Sequence, residues 1–308
     1  YGFADLIHRS KISKYIDYGK RVTNKDAEIE PETTTEERIR KVFEELGATF
    51  IKFGQILSSR PDILSSELLG ELKKLQDSLP PFPTEEAVKV IESELKQSIN
   101  EIFIEFDPMP LAAASIAQVH RAKLQSGADV VVKIQKPGIK KVIDSDIEIM
   151  RHIAHLIERN IPEARGLRPV DIVDEFSTSI EKELDFTIEA SNLERFSANF
   201  KNDPFVVVPK IYKKYTTEKI LTMEFIEGIK LNSLNQSSLT LIDRKEIIER
   251  GSEAILKQIF TFGFFHYFLS KSFQFLWMEK QGLTTSQIGY LRLSTVCVYL
   301  HNIHSINH

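Results

Sequence analysis

Apolar residues recur at three- and four-residue spacing through most of the first hundred positions, and this predicts a helical segment. Across residues 4–22, Leu6, Ile7, Ile12, Tyr15 and Ile16 alternate with Arg9, Lys11, Lys14, Lys20 and Arg21, an amphipathic helix with a cationic face. Such a helix either packs on its own domain or lies on a membrane surface. Residues 23–35 are polar and acidic and read as a linker. Thr34 with Glu37 forms a capping-box pattern that opens a helix through Ile39, Val42, Phe43, Leu46, Phe50 and Phe53. Pro61 closes it, and Leu68, Leu69, Leu72, Leu75 and Leu79 mark another helix over 65–79. Pro80-Pro81-Phe82-Pro83 stops that one, because proline lacks a donor and restricts the residue before it. Thr84 is predicted to cap a helix that carries Ala87, Val90, Ile91 and Leu95 on one face.

The pattern changes near Glu101. Residues 102–106 and 111–124 shift to small and β-branched types, and Ser126-Gly127 is a tight-turn signal followed by the valine-rich run 128–134. Residues 116–135 therefore read as a β-hairpin, closed by Lys136-Pro137-Gly138. Helices are expected over 139–160, 170–200 and 243–262, with strands at Val206–Val208 and Ile220–Phe225. No repeat of solenoid period is visible.

Composition narrows the classes. With 308 residues and 42% hydrophobic content the chain can bury a sizeable core, as one two-lobed domain or one domain with an extension. A net charge of −4 gives no basic balance that calls for nucleic acid. One cysteine, Cys297, excludes an internal disulfide framework and suits a reducing compartment. The first residues carry no signal-peptide pattern, and no apolar run reaches the roughly 18 residues a spanning helix needs. A cytoplasmic or matrix-side location, with peripheral membrane contact, fits these features.

Two features carry chemistry. Leu111-Ala-Ala-Ala-Ser-Ile-Ala-Gln-Val119 is mostly small side chains, which would let a backbone run close to phosphates or a sugar, and turn amides there can bind anions. The alternative is plain close packing. Lys133, flanked by Val130, Val131, Val132 and Ile134, is a charge in an apolar strand. A buried ammonium needs a carboxylate, a phosphate or both, whereas on an edge strand it would reach out to water. Candidate partners lie in residues 181–189: Asp185 and Glu189 share a face on a regular helix, while Glu183 points elsewhere. A solvated acidic face is the alternative. Gly54 in Lys52-Phe-Gly-Gln55 marks either close approach of another element or a helix end, and Gln55 brings a donor and an acceptor to that spot.

Together these residues resemble the UbiB-type atypical kinase family, associated with ubiquinone biosynthesis. Residues 50–62, from Phe50-Ile-Lys-Phe-Gly-Gln55 to Pro61-Asp62, resemble its KxGQ segment, and Leu75 to Pro83 its LQD…PPFP stretch. Ala112 to His120 resembles its alanine-rich loop, Val131-Val-Lys-Ile134 its VAIK strand, and Glu183-Leu-Asp185 its ExD motif, with Glu189 where the αC-type glutamate sits. The match runs over about residues 1–266, with the motifs in order. A helical scaffold with chance matches would need five ordered coincidences.

The resemblance implies an α+β protein-kinase-like fold: a helical N-terminal extension over 1–100, an N-lobe with a small antiparallel sheet over 101–227, the start of a helical C-lobe over 228–266, and a non-family tail over 267–308. Lys133 would pair with Glu189 and touch the phosphates of ATP or ADP. Lys52 and Gln55 would reach the nucleotide site and meet Glu183 and Asp185. Ala112, Ala113, Ala114, Ser115, Ile116, Ala117 and Val119 would line the nucleotide, and Met223, Glu224 and Phe225 would offer hinge backbone groups to adenine. Implied partners are a nucleotide, an isoprenoid lipid or membrane surface, and other ubiquinone-biosynthesis proteins.

After His266 the family's catalytic-loop Asp and metal-binding Asn, and a later metal-binding Asp, are expected. Residues 267–308 contain no Asp and only four charged side chains, Lys271, Glu279, Lys280 and Arg292. A shifted reading frame or intron read-through would give such a tail. Mg²⁺, expected in intact members, would then lack protein ligands, and a non-catalytic pseudokinase or binding scaffold becomes the rival to an ATP-using enzyme. Ile255, Ile259, Phe262 and Phe264 would lose their cover.

Overall fold

The structure is a computed structural model, and it describes residues 34–75, 80–227 and 241–263. The amphipathic pattern over 4–22, Leu79 and the tail over 267–308 lie outside the described residues.

Three helices open the described chain: α1 (Thr35–Leu46), α2 (Ala48–Leu57) and α3 (Ser66–Leu72). Thr34 caps α1 by accepting from the Glu37 N–H, as its position predicts. The apolar pattern from Ile39 to Phe53 does not form one helix. Gly47 breaks it with φ 93°, a conformation that needs the absence of a Cβ, and α2 turns away so that Ile51, Leu57, Leu68, Leu72 and Leu75 meet in one cluster with Phe43 and Phe53. Gly54 is interior to α2, and it is a close-approach glycine rather than a stop signal. A Cβ there would overlap Leu75 Cδ1 and stand 2.6 Å from Phe43 Cδ2. The Phe43 ring lies 6.3 Å from both Phe50 and Phe53 and has little room to swing. Gly54→Ala would gain about 1 kcal/mol of helix propensity but force overpacking that costs typically 1–3 kcal/mol. The expected net result is a Tm lowered by a few degrees, read by thermal denaturation; a raised Tm would mean the cluster gives way freely.

Helix α4 (Thr84–Leu95) follows the proline block. Its cap position is Pro83, not Thr84; the Thr84 hydroxyl instead donates to Pro108 O at 2.8 Å. Ala87 and Ile91 are fully buried, as their spacing predicts. A single helical turn, α5 (Ile99–Ile102), leads into the sheet: β1 (Phe103–Phe106), β2 (Ala112–Ala113), β3 (Ala117–Leu124), β4 (Asp129–Gln135) and β5 (Ile220–Glu224). The order is β1-β3-β4-β5, all antiparallel, with β2 also paired to β3. The hairpin expected at 116–135 is β3 and β4, turned at Gly127 with φ 84°. Val206–Val208 is not a strand; only Val207 makes a bridge.

Alternation sets the two faces of β4. Val130, Val132 and Ile134 are fully buried against Ile91, Ile102 and Leu124 on one side. Val131 and Lys133 therefore point to the other side, towards α6 (Ile139–Asn160), α7 (Pro169–Leu184) and α8 (Phe186–Asn199). There Ile143, Ile147, Phe176, Ile180, Phe186 and Leu193 form the second core with Ile116 and Leu221. The helix expected over 170–200 is two helices, broken at Asp185. Beyond β5, α9 (Leu241–Leu256) ends in a π-turn, Lys257–Thr261. Phe262 keeps cover, its ring 5.3 Å from Phe200, and Ile255 and Ile259 are half-buried. Phe264 lies outside the described residues; among those whose exposure is described here, Leu256 and Phe260 are the exposed large apolar ones.

Candidate functional site

Strand β4 lies between β3 and β5, so the edge-strand reading of Lys133 falls away. Its neighbours in register are Val119 and Leu221. The Lys133 Nζ donates to Glu189 Oε2 at 2.7 Å and stands 4.6 Å from the centre of the Phe186 ring. Both paired side chains keep about a fifth of their surface exposed, 22% and 21%. Phe186 is fully buried and gives the lysine an aromatic floor.

A second ion pair stands on the neighbouring helices. Lys52 on α2 reaches Glu183 near the end of α7, Nζ to Oε1 2.7 Å, with 13% and 18% of the side chains exposed. Thr49, one turn earlier on α2 and 1% exposed, donates its hydroxyl to Asp146 on α6 and ties the two helices together. The segment carrying Lys52 is thereby fixed beside the sheet face from which Lys133 projects.

Two expected partners are elsewhere. Gln55 does not meet Glu183 or Asp185; its Nε2 donates to Leu75 O at 3.3 Å, joining α2 to the chain after α3. Asp185 does not share a helical face with Glu189. It caps α8, its Oδ1 accepting from the Thr187 N–H at 2.9 Å and from the Thr187 hydroxyl at 2.6 Å. The break that puts it there comes from contacts remote in sequence: Gln135 Nε2 donates to Leu184 O at 2.7 Å, and the Phe186 N–H donates to Glu218 O at 3.0 Å.

The alanine-rich loop is a tight turn bound into the sheet. Ala112 and Ala113 pair with Val119 and Gln118, and the Ala114 N–H donates to Ala117 O at 2.8 Å. Ser115, Ile116 and Ala117 are buried, Ala113 and Val119 half-buried, and Ala112 and Ala114 exposed. Only part of the loop thus presents itself to a ligand. Of the three residues expected at the hinge, Met223, Glu224 and Phe225, the last two have their N–H groups committed, to Lys210 O and Asp129 O. Among the described residues no group of three or more His, Cys, Asp or Glu side chains stands together, so no metal ligand is assigned.

A buried polar chain that the sequence reading did not single out supports this loop. Gln118 Oε1 accepts from the Phe82 N–H at 3.0 Å, and its Nε2 lies 2.8 Å from His120 Nε2. His120 Nδ1 lies 2.8 Å from Asp107 O, and the ring stacks on Phe106 at 4.9 Å. A carbonyl only accepts, so Nδ1 carries the proton, and Nε2 accepts from the Gln118 amide: the imidazole is neutral. Burial pushes its pKa below the ordinary 6.5, against a smaller opposing pull from the Asp107 carbonyl. The unfolded chain therefore takes up a proton that the native one resists. The associated stability is present above pH 6.5 and is lost as the pH falls from there towards the lowered native value. In His120→Gln that loss should be missing, so the Tm advantage of the native chain narrows between about pH 7.5 and about pH 5. A constant difference across that range would show that His120 does not titrate this way.

An antiparallel sheet with an inner-strand lysine paired to a glutamate on a packed helix defines a protein-kinase-like N-lobe. Residues 74–270 match the ABC1 atypical kinase-like domain, and the chain belongs to that family of atypical kinases, of the UbiB type. It is 41% identical over 237 residues to a probable protein kinase UbiB of Cellvibrio japonicus, covering 77% of this chain and 43% of that one. The protein ACTIVITY OF BC1 COMPLEX KINASE 8, chloroplastic, of Arabidopsis thaliana is 44% identical over 223 residues, covering 72% and 29%. The chain thus spans less than half the length of these relatives. Among solved structures, Rv3197 of Mycobacterium tuberculosis in complex with erythromycin aligns with a TM-score of 0.52 and 26% identity, over 81% of this chain and 59% of that one. The α+β kinase-like fold expected from the motifs is the fold observed.

Proposed function

We propose that this chain is an adenine-nucleotide-binding module that serves ubiquinone biosynthesis through ATP binding or hydrolysis. The observation that carries the reading is the Lys133–Glu189 pair at 2.7 Å, on an inner strand and with about a fifth of each side chain exposed. Lys133 would hold the α- and β-phosphates, Glu189 would orient Lys133, and the exposed part of the alanine-rich loop would lie along the phosphates. Adenine would rest near Met223, using hinge carbonyls and N–H groups beyond Phe225. ATP supplies a phosphoryl group and Mg²⁺ would neutralise it; the described residues are assigned to the nucleotide only.

In the proposed organisation residues 1–100 form the extension, 101–227 the N-lobe, 228–266 the start of the C-lobe and 267–308 a separate tail. The Lys52–Glu183 pair brings the extension to the nucleotide side, where it would exclude a peptide substrate and favour a small or lipid one. The cationic pattern over 4–22 supports peripheral contact with a membrane. Among the described residues no helix is long and apolar enough to cross one. A non-catalytic scaffold is the second reading, favoured by the lack of Asp across 267–308.

Thermal denaturation with ATP or ADP, with and without Mg²⁺, tests nucleotide binding, and phosphate release under the same conditions separates the two readings. A Tm rise with turnover supports the enzyme, a rise without turnover the scaffold, and no rise overturns the proposal. Lys52→Ala is expected to change the ratio of ATP to ADP affinity while leaving the chain folded, with a lowered unliganded Tm because the mostly buried Glu183 carboxylate loses its partner. An unfolded Lys52→Ala chain would make the pair structural instead.

A further inference from the structure

The Gln118–His120 chain joins three segments at the foot of the alanine-rich loop. The loop is entered at Asp107, whose N–H donates to Arg121 O at 2.9 Å and whose carbonyl takes the His120 Nδ1 proton at 2.8 Å. It is left at Gln118, which pairs in register with Ala113 and through its side chain accepts from the Phe82 N–H of the proline block. Thr84 adds a second tie from that block, its hydroxyl donating to Pro108 O. Gln118 and His120 are 1% and 0% exposed, so their polar atoms depend on one another.

The chain runs in one direction only. Gln118 Oε1 accepts from Phe82, which leaves the amide nitrogen to donate to His120 Nε2, and the imidazole in turn donates through Nδ1. A second proton on the ring makes Nε2 a donor facing a donor. Turning the Gln118 amide over would offer Oε1 to the ring but set its nitrogen against the Phe82 N–H, again donor to donor. A proton added at one end therefore costs the bond at the other. The surroundings do little to compensate that charge. Phe106 stacks on the ring, Val132 beside it on β4 is fully buried, and α4 turns Ala87 and Ile91 inward while Glu85, Glu86 and Lys89 stay exposed. Arg121 lies on the other face of β3, over the Phe225 ring. The charged group that acts on the imidazole is Asp107, whose carboxylate accepts from the Met109 N–H at 2.9 Å, and burial outweighs it.

We infer that Gln118 and His120 form a proton-operated latch that holds the foot of the alanine-rich loop to the proline block and opens as the pH falls. Resting on the nucleotide reading above, both are positioning residues for the stretch that would lie along the phosphates, so an open latch weakens nucleotide binding.

Pro80, Pro81 and Pro83 have no N–H, so Phe82 carries the only amide hydrogen of residues 80–83, and its exchange is read by mass spectrometry on a peptide covering them. In the native chain its protection, normalised to the intrinsic exchange rate at each pH, should fall about tenfold between about pH 7.5 and about pH 5. In His120→Gln, which does not titrate there, it should stay level. Gln118→Glu should reverse the slope: one proton shared between carboxylate and imidazole completes the chain, so protection is kept at the low pH and lost as the pH rises. If Gln118→Glu does not fold, the native and His120→Gln profiles decide. Level protection in the native chain, an equal loss in His120→Gln, or an unreversed slope in folded Gln118→Glu overturns the latch. Nucleotide affinity that does not follow the Phe82 profile overturns the positioning role. A chain that binds no nucleotide at any pH overturns the nucleotide reading instead, and the Phe82 profile still decides the latch.

Discussion

Lys133→Met is expected to abolish the rise in Tm that ATP or ADP gives the native chain. A ligand present at about 100 times its Kd stabilises the native state by about 2.7 kcal/mol. At roughly 2–4 °C per kcal/mol for a domain of this size, the native shift is about 5–10 °C. Methionine keeps most of the lysine's apolar volume on β4 but removes the charge that meets phosphate. The unliganded Tm should fall as well, because the mostly buried Glu189 carboxylate loses its partner, so each nucleotide shift is read against the same variant without nucleotide. Glu189→Gln should lower the shift without erasing it, since it removes the partner that orients Lys133 and leaves the ammonium in place. Fluorescence-monitored melting of the three chains, with and without nucleotide, separates these outcomes. A full nucleotide shift in Lys133→Met would place the phosphates elsewhere.

That experiment targets the part of the site most legible in the sequence. The hairpin carrying Lys133 is specified locally: a valine-rich strand, a Ser-Gly turn, and a preceding strand of small residues. Strand alternation then forces Lys133 to the face opposite Val132 and Ile134. Residue spacing offers Glu189 only as one of two candidate partners, with Asp185, against the commoner reading of a solvated acidic face; the family resemblance singles it out.

What the sequence hid were the breaks. The apolar spacing runs unbroken from Ile39 to Phe53, and only the need to fold α2 back over Leu75 and Phe43 turns Gly47 into a corner. Likewise Glu181 to Glu189 has good helical periodicity. The contact that ends α7 comes from Gln135, 49 residues away, and no local signal announces it. The family resemblance alone places Gln55 at the carboxylates; its half-buried amide finds a backbone carbonyl at Leu75 instead. The Gln118–His120 chain was missed for a related reason. In a strand of small residues, alternation marks which side chains go inside, but not that a polar one will find Phe82 and Asp107 there.

The break at Asp185 makes Phe186 the residue where fold and site meet, and Phe186→Ala is expected to destabilise the chain by about 3–5 kcal/mol. The ring is fully buried between the sheet and α6–α8. Its own N–H holds Glu218 O at 3.0 Å, just before β5. Alanine would leave a cavity at the point where α7 stops and α8 starts. Glu183 lies before that point and faces Lys52; Glu189 lies after it and faces Lys133. A relaxed break would shift one carboxylate relative to the other. Phe186→Leu keeps most of the volume and should cost less, typically under about 1.5 kcal/mol where the site can repack. It still removes the aromatic floor 4.6 Å from the Lys133 ammonium, an interaction worth about 0.5–2 kcal/mol at a partly desolvated site. The leucine variant should therefore stay folded yet bind nucleotide several-fold more weakly, measured by calorimetric titration. If nucleotide affinity in Phe186→Leu equals that of the native chain while Tm falls, the ring supports the fold alone and the ammonium is positioned by Glu189 without it.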